Sequence, residues 1–510
     1  MATLQERIEC KQLLNKVMPV EEAVKFVKNN DTLAISGFTK SGEPKVFIPA
    51  LAKHFAAHAP ESRISLFTGA SLSEQVEGPI AKYVAKRGPY MSSSESRKLI
   101  LEGKMDFTDV HLSQFARNLM YGFYGEIDVA VVEVSRIRED GGVILTSSVG
   151  ISGEALTKAK KIILEVNTFG SDYTGFHDLT QPRVYPRVGW PVPVTNVGDR
   201  VGSLHVPIDL SKVVAVVESR MPDYGVDFKD PSKAENQIAA NVIEFLQGLQ
   251  KKYSWGHRIP PIQSGVGNIA NAIVGGLYDS PFNKIRFWTE VFQDGMLKFL
   301  DNEDKFEVAS CTAVSFSNAG YKQFLQNFDK AREKIILRPM WLSNSPEIIS
   351  RLFVIAMNTP IEVDIYGHAN STHVDGSKII NGLGGSGDFL RNAYVSIVHT
   401  PSTRRLKDGR TVSCVMPYVR HIDHTEHDIK CVVTEQGVVL NTEIRSAIRR
   451  ADEIIEKCAH PYFRPLLRSY LKMAGTGDEP RITDLARLKG WWDEYDTACK
   501  EFPAQGANTD

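Results

Sequence analysis

Cysteine is scarce. Six residues in 510, Cys10, Cys311, Cys414, Cys431, Cys458 and Cys499, are scattered without a CxxC pair, which excludes a disulfide frame and a clustered zinc site and points to free thiols in a reducing compartment. No run of about 18 apolar residues occurs, so no membrane-spanning helix is expected. The opening MATLQERIECKQLLNKVMP mixes both charges and lacks the apolar segment of a secretion signal. As written, the chain is expected in the cytoplasm, or in a mitochondrial or hydrogenosome-type matrix if a presequence has been removed. Basic residues are not in excess either: 60 Lys and Arg stand against 61 Asp and Glu, a formal net charge of -1. Nucleic acid and membrane surfaces are therefore excluded as expected partners.

What is present is a long alternation of short β-branched runs with helical stretches. TLAISGF, RISLFTGAS, IDVAVVEVS, KKIILEVN and KVVAVVES follow one another in the first half. Near-continuous apolar runs of this kind suit strands buried on both faces of a parallel sheet, so the fold class is α/β. MPDYGVDFKDPSK, residues 221–233, combines prolines, a glycine and charges ahead of an amphipathic helix with Ile238, Val242, Phe245, Leu246 and Leu249 at helical spacing. The expected domains are 1–222 and 234–510.

The two halves resemble each other. IDVAVVEVSRIREDGGVILTSSVG from Ile127 can be laid on IEVDIYGHANSTHVDGSKIINGLGG from Ile361, matching Asp140 and Gly141 to Asp375 and Gly376, and Gly150 to Gly385. Upstream, SGF at Ser36 matches SGV at Ser264, and ISLFTG at Ile64 matches IRFWTE at Ile285. Matches in the same order predict two similar, duplicated open α/β domains with mostly parallel sheets and a site between them. In that alignment Thr68 and Gly69 face Thr289 and Glu290. A carboxylate at the end of a buried strand is costly unless it is compensated or used, and its replacement by glycine in the other half makes Glu290 the candidate functional group.

Glycine-rich loops surround it. IQSGVGNIANAI, Ile262 to Ile273, reads as a strand end, a turn and a helix whose apolar face is Ile269, Ile273, Val274 and Leu277; free N–H groups there can hold a phosphate or an oxyanion, or the glycines can simply serve a tight connection. NGLGGSGDF, Asn381 to Phe389, contains GxGxxG at Gly382, Gly384 and Gly387. It is not read as a dinucleotide fingerprint, because it does not open a first βα unit and is followed by the polar TRRLKDGRT instead of an acidic strand end. Gly385 is a candidate oxyanion donor. LSNSPEII places Asn344 in a turn, with Ser345 and Pro346 suited to the cap and first position of a helix. HIDHTEH offers His421, His424 and His427, but no second ligand cluster accompanies them and no metal site is expected. Glu435 of TEQG follows the strand IKCVV and suits a cap equally well.

Taken together, SGFT at 36–39, FTGAS at 67–71, SGVGNIANA at 264–272, TEVFQDGML at 289–297, SNSPE at 343–347, IAMNTPIEVDIYGHANST at 355–372, GSGDF at 385–389 and KCAHP at 457–461 resemble the acetyl-CoA hydrolase/transferase family of class I coenzyme A transferases. The resemblance is nearest to its succinyl-CoA:acetate transferase and yeast-type acetyl-CoA hydrolase members. It implies a glutamate nucleophile, Glu290, that forms a glutamyl-CoA thioester, with Val266 and Gly385 donating amides to the oxyanion and Asn344 contacting the reacting carboxylate. It also implies coenzyme A along Gly265, Val266, Gly267, Asn268 and Ile269, near Ile361 and Gly385, with Arg405 or Lys407 on its phosphate. The expected substrates are acyl-CoA, acetate and succinate, with no tightly bound cofactor, in a homodimer. Two departures stand out. TEQGVVLNTEIRSA replaces the usual TEQGLADLRGLSP, and Arg220 alone offers itself in SRMPDYG as a partner for Glu435.

Overall fold

The computed structural model describes residues 2–187, 191–225, 229–441 and 446–503. The first half contributes seven parallel strands: β1 (Thr32–Ile35), β2 (Ile64–Phe67), β3 (Val84–Gly88), β4 (Asp106–Phe107), β5 (Val129–Ile137), β6 (Lys161–Asn167) and β7 (Val213–Ser219). Their order across the sheet is β4-β3-β2-β1-β5-β6-β7. The second half repeats it with β8 (Ile262–Ser264), β9 (Ile285–Trp288), β10 (Phe306–Cys311), β11 (Ile335–Leu337), β12 (Ile355–Asn358), β13 (Val395–His399) and β14 (Cys431–Thr434), in the order β11-β10-β9-β8-β12-β13-β14. An antiparallel edge strand, β15 (Gly437–Leu440), closes the second sheet.

The strands form where the apolar runs predict. Every residue of β12, β13 and β14 is buried, as expected of strands covered on both faces. The aligned Asp140-Gly141 and Asp375-Gly376 pairs both sit in hairpin turns, and both glycines have positive φ, 83° and 76°. These shared left-handed turns support the register of the internal alignment.

Six helices matter for the site: α1 (Leu112–Tyr121), α2 (Lys233–Tyr253), α3 (Asn268–Asp279), α4 (Met340–Ser343), α5 (Pro346–Arg351) and α6 (Ser386–Asn392). In α2, Ile238, Val242, Leu246 and Leu249 are buried, and Ser232 and Glu235 form a reciprocal capping box at its start. The turn-rich stretch before it lies partly outside the described residues. Pro346 takes the first position of α5, whereas the Ser345 hydroxyl makes no capping hydrogen bond. In α3, Ile269, Ile273, Val274 and Leu277 are buried as the spacing predicts.

One excursion crosses between the halves. The segment between β6 and β7 leaves the first sheet, and His177 forms a β-bridge with Leu337 of β11. Val194 and Val197 are buried in a cluster with Trp288, Leu342, Ile348 and Ile349. The main core is continuous across both sheets, from Ala34 and Val132 to Phe287 and Ile397.

Candidate active site

Glu290 stands one residue beyond the Trp288–Thr289 step at the carboxyl end of β9. The strand end that carries it is held from three directions. The Trp288 indole N–H donates to the Ser343 carbonyl at 2.8 Å, the Thr289 hydroxyl to the Ser264 carbonyl at 3.1 Å, and the Glu290 carbonyl accepts from the amides of Thr312 and Ala313 at 2.9 and 3.1 Å. The side chain enters a cavity of about 220 Å3, where Asn344 Nδ2 donates to Glu290 Oε1 at 2.8 Å. The Asn344 carbonyl oxygen accepts from the Ser343 hydroxyl at 2.8 Å, which fixes the amide end that faces Glu290. Burial pushes the Glu290 carboxyl up to about 7; the Asn344 hydrogen bond opposes that shift and the charge of Asp388 adds to it.

Two glycine loops of the second half complete the wall. Gly265 and Val266 come from the turn between β8 and α3, and Gly384 and Gly385 from the turn before α6. The cavity thus lies outside the strand carboxyl ends where β8 and β12 run to opposite sides, the switch point at which open α/β sheets bind ligands. Among the described residues, the amides of Val266 and Gly385 make no hydrogen bond within the protein. Gly265 itself is held, with its N–H on the Met357 carbonyl at 3.1 Å and its carbonyl receiving the Gln293 side chain at 2.7 Å. Gly267 begins α3 with φ of 138°, and Asn268 and Ile269 form its first turn. A β-carbon on Gly385 would collide with Glu290 Oε1 and Asn344 Nδ2; a larger residue here displaces the two side chains that face each other across the site.

The first half supplies the opposite wall through loops equivalent in topology: Phe38 and Thr39 after β1, Ala70 and Ser71 after β2, and Tyr90 after β3. Burial first, and then the Glu290 charge, push the Tyr90 hydroxyl up to about 12. At the position matching Glu290, the loops close on themselves. A β-carbon on Gly69 would meet the Gly37 carbonyl oxygen at 2.8 Å and Gly150 Cα at 2.9 Å. The three aligned glycine positions touch in the first half, and in the second they part around a glutamate.

Other residues singled out from the sequence fall elsewhere. Ile361 is half-buried with its N–H on the Asn370 carbonyl at 2.7 Å, just past Asn358 and Thr359 on the cavity wall. Arg405 and Lys407 are exposed and line a separate cavity of about 780 Å3 with Arg404, Arg420 and Trp492. Of the GxGxxG glycines, Gly382 and Gly384 lie in the loop before α6 and Gly387 in its first turn, and they open no first βα unit. The three histidines diverge: His424 is buried with Nε2 3.0 Å from the Ser386 hydroxyl, His421 pairs with Asp423, and His427 is exposed. A different trio, His368, Glu426 and Glu479, brings its ligand atoms together. His368 Nε2 lies 2.9 Å from Glu426 and Nδ1 2.9 Å from Asp364, a geometry that an imidazolium between carboxylates satisfies. Glu435 accepts from the Ser402 amide at 2.8 Å and from its hydroxyl and caps no helix, while Arg220 pairs with Glu218. Residues 442–445 of the altered segment after TEQG lie outside the described residues.

Sequence reasoning gave no role to Tyr90, Ser113 or Asp388. Asp388 stood inside the quoted GSGDF without a partner, because Ser113 is 275 positions away.

Comparison with known proteins adds an independent line. A family model described as the acetyl-CoA hydrolase/transferase N-terminal domain matches residues 1–222, and the corresponding C-terminal domain matches 320–471. A Yarrowia lipolytica protein named acetyl-CoA hydrolase is 43% identical over 490 residues, 93% of either chain. One of the same name from Schizosaccharomyces pombe is 41% identical, covering 94% of this chain and 95% of the relative. Among solved structures, RipA from Yersinia pestis superposes with a TM-score of 0.68 at 22% identity, covering 90% of this chain and 98% of that one. A 4-hydroxybutyrate CoA-transferase from Porphyromonas gingivalis gives 0.60 at 19%, covering 92% and 99%. These two likenesses establish the shared fold.

Proposed function

The chain belongs to the acetyl-CoA hydrolase/transferase family, and from that membership we propose that it moves coenzyme A between small carboxylic acids through a covalent thioester on Glu290, with succinyl-CoA and acetate as the pair. The observation that carries this reading is a single carboxylate, hydrogen-bonded by Asn344 at 2.8 Å and facing two glycine loops, in a cavity that both lobes wall. The domains 1–222 and 234–510 are read as those two lobes.

The chemistry needs no more than these groups. The Glu290 carboxylate attacks the acyl carbonyl, the C–S bond breaks, and a mixed anhydride and a CoA thiolate form. The thiolate then attacks the glutamyl carbonyl, displacing the first acid as its carboxylate and leaving a Glu290 thioester. An acceptor carboxylate reverses the sequence. Each step passes through a tetrahedral oxyanion, for which the Val266 and Gly385 amides are the donors in this reading; losing one preorganised donor typically costs about 2.7–4 kcal/mol. Coenzyme A extends along Gly265 to Ile269 toward Ile361, and the exposed Arg405 or Lys407 meets its phosphate.

Hydrolysis is the second reading, favoured by the names of the relatives from Yarrowia lipolytica and Schizosaccharomyces pombe. It uses the same nucleophile, with water in place of the acceptor. Incubation with acyl-CoA and no acceptor, followed by borohydride, should convert the glutamyl thioester to an alcohol, read as a mass loss on the peptide bearing Glu290. Succinyl-CoA consumption that depends on acetate, with ping-pong kinetics, identifies the transferase; equal consumption without acetate identifies the hydrolase. Glu290→Ala should abolish adduct and turnover while keeping coenzyme A binding, and Glu290→Asp should lose about 100-fold because the carboxylate is withdrawn from its near-attack position. An adduct on any other residue rules out Glu290 as the nucleophile.

A further inference from the structure

Asp388, three residues past Gly385 on α6, is 4% exposed and belongs to no step of the reaction described above. Its carboxylate is held from the opposite lobe, at the start of α1. The Ser113 amide donates to Asp388 Oδ2 at 2.9 Å and the Ser113 hydroxyl to Oδ1 at 2.5 Å. Burial raises the Asp388 carboxyl, while the Ser113 hydrogen bonds and the nearby His111 work to keep it ionised. The Asn344 amide makes its hydrogen bond to Glu290, at 2.8 Å, and the charge of Asp388 is felt at Glu290.

We propose that Asp388 is a positioning residue for the Glu290 reaction: anchored to the opposite lobe by Ser113, it holds the Gly385 turn, three residues back at the start of the same helix, against Glu290 and keeps a fixed negative charge near that nucleophile. Attack on a thioester carries negative charge away from Glu290, first to the carbonyl oxygen and then to the thiolate. A second carboxylate fixed nearby destabilises the starting anion and is relieved as that charge departs, so its effect favours the transition state over the ground state. The same residue ties the glycine loop carrying Gly385 to the opposite lobe.

The charged and titratable groups around the pair are few. His111 Nδ1 lies 4.0 Å from Asp388 Oδ1, Arg391 feels Asp388 one turn on but is engaged with Asp428, and Tyr90 faces Glu290. None of them replaces the Ser113 contacts.

The proposal rests on the Glu290 reading, and one experiment separates the two. Single-turnover formation of the borohydride-trapped Glu290 adduct is followed from pH 5.5 to 8.5 in the full chain, in Asp388→Asn and in Ser113→Ala, with coenzyme A binding and melting temperature as folding controls. Asp388→Asn should slow adduct formation about 10- to 100-fold with the KM for acyl-CoA changed less than about threefold, and should move the acidic limb down by about one pH unit. Ser113→Ala keeps the carboxylate and should show the same direction with a smaller loss; if Asp388→Asn fails to fold, it decides. A limb that stays in place or moves upward in a folded variant overturns the role of Asp388 while leaving Glu290 as the nucleophile. No adduct in the unaltered chain overturns both.

Discussion

Glu290 carries opposing demands, and each has a measurable consequence. In the proposed reaction the attacking species is the carboxylate, and burial lifts its pKa from 4.5 to about 7. The free enzyme's kcat/KM for acyl-CoA should therefore fall about tenfold per pH unit below pH 7 and level off above it; a limb near the ordinary glutamate value would contradict the burial argument. The stability sign is the reverse. A folded state that holds this proton more tightly than the unfolded chain has a contribution fully present below about pH 4.5 and lost as pH rises through 7. Glu290→Gln, which keeps an acceptor for Asn344 and removes the charge, should melt about 2 °C higher at pH 8, with the gain vanishing toward pH 5. Equal melting temperatures at both pH values would mean that solvent screens the charge.

At the level of loops and helices, glycine does different work in the two halves. Gly385 has φ of -96°, which any residue adopts, so its requirement is one of space. Gly385→Ala should cost at least about 100-fold in turnover with a small change in melting temperature, because the β-carbon meets the movable Glu290 side chain and the Asn344 amide. Gly69→Ala meets backbone on two sides, the Gly37 carbonyl and Gly150 Cα. Backbone yields little, and a loss of about 1–3 kcal/mol in unfolding free energy is expected. Denaturant titration of both variants checks the contrast, which would be lost if the two were destabilised alike.

Across the whole molecule, the halves are interlocked by the excursion between β6 and β7. Arg338, at the end of β11, is fully buried and pairs with Asp178 of that excursion. It also donates to the Ser310 hydroxyl at 2.6 Å and lies 5.4 Å over the Trp288 ring, two residues before Glu290. Arg338→Ala leaves Asp178 as a buried charge without that partner and should destabilise the chain by about 3–5 kcal/mol. A loss below about 1 kcal/mol by chemical denaturation would show that the halves are held by the shared apolar core instead.

The sequence by itself determined the fold class, the repeat and the candidate glutamate. Apolar runs dictate strands buried on both faces, and aligned βα units dictate the same strand order twice. The strand-end glutamate opposite Gly69 was visible because β9 and β2 are short and flanked by recognisable loops. Tertiary structure alone decided the rest. Asn344 reads equally well as a turn residue until its amide is seen on Glu290, and GSGDF does not disclose that its aspartate meets Ser113 275 positions away. Nothing local to His177, Val194 or Val197 announces a partner, yet they meet Leu337 and the Trp288 cluster of the second half. Local pattern encodes how each segment buries its own surface, whereas a site between two lobes is made of contacts far apart in the chain, whose pairing only the closed fold selects.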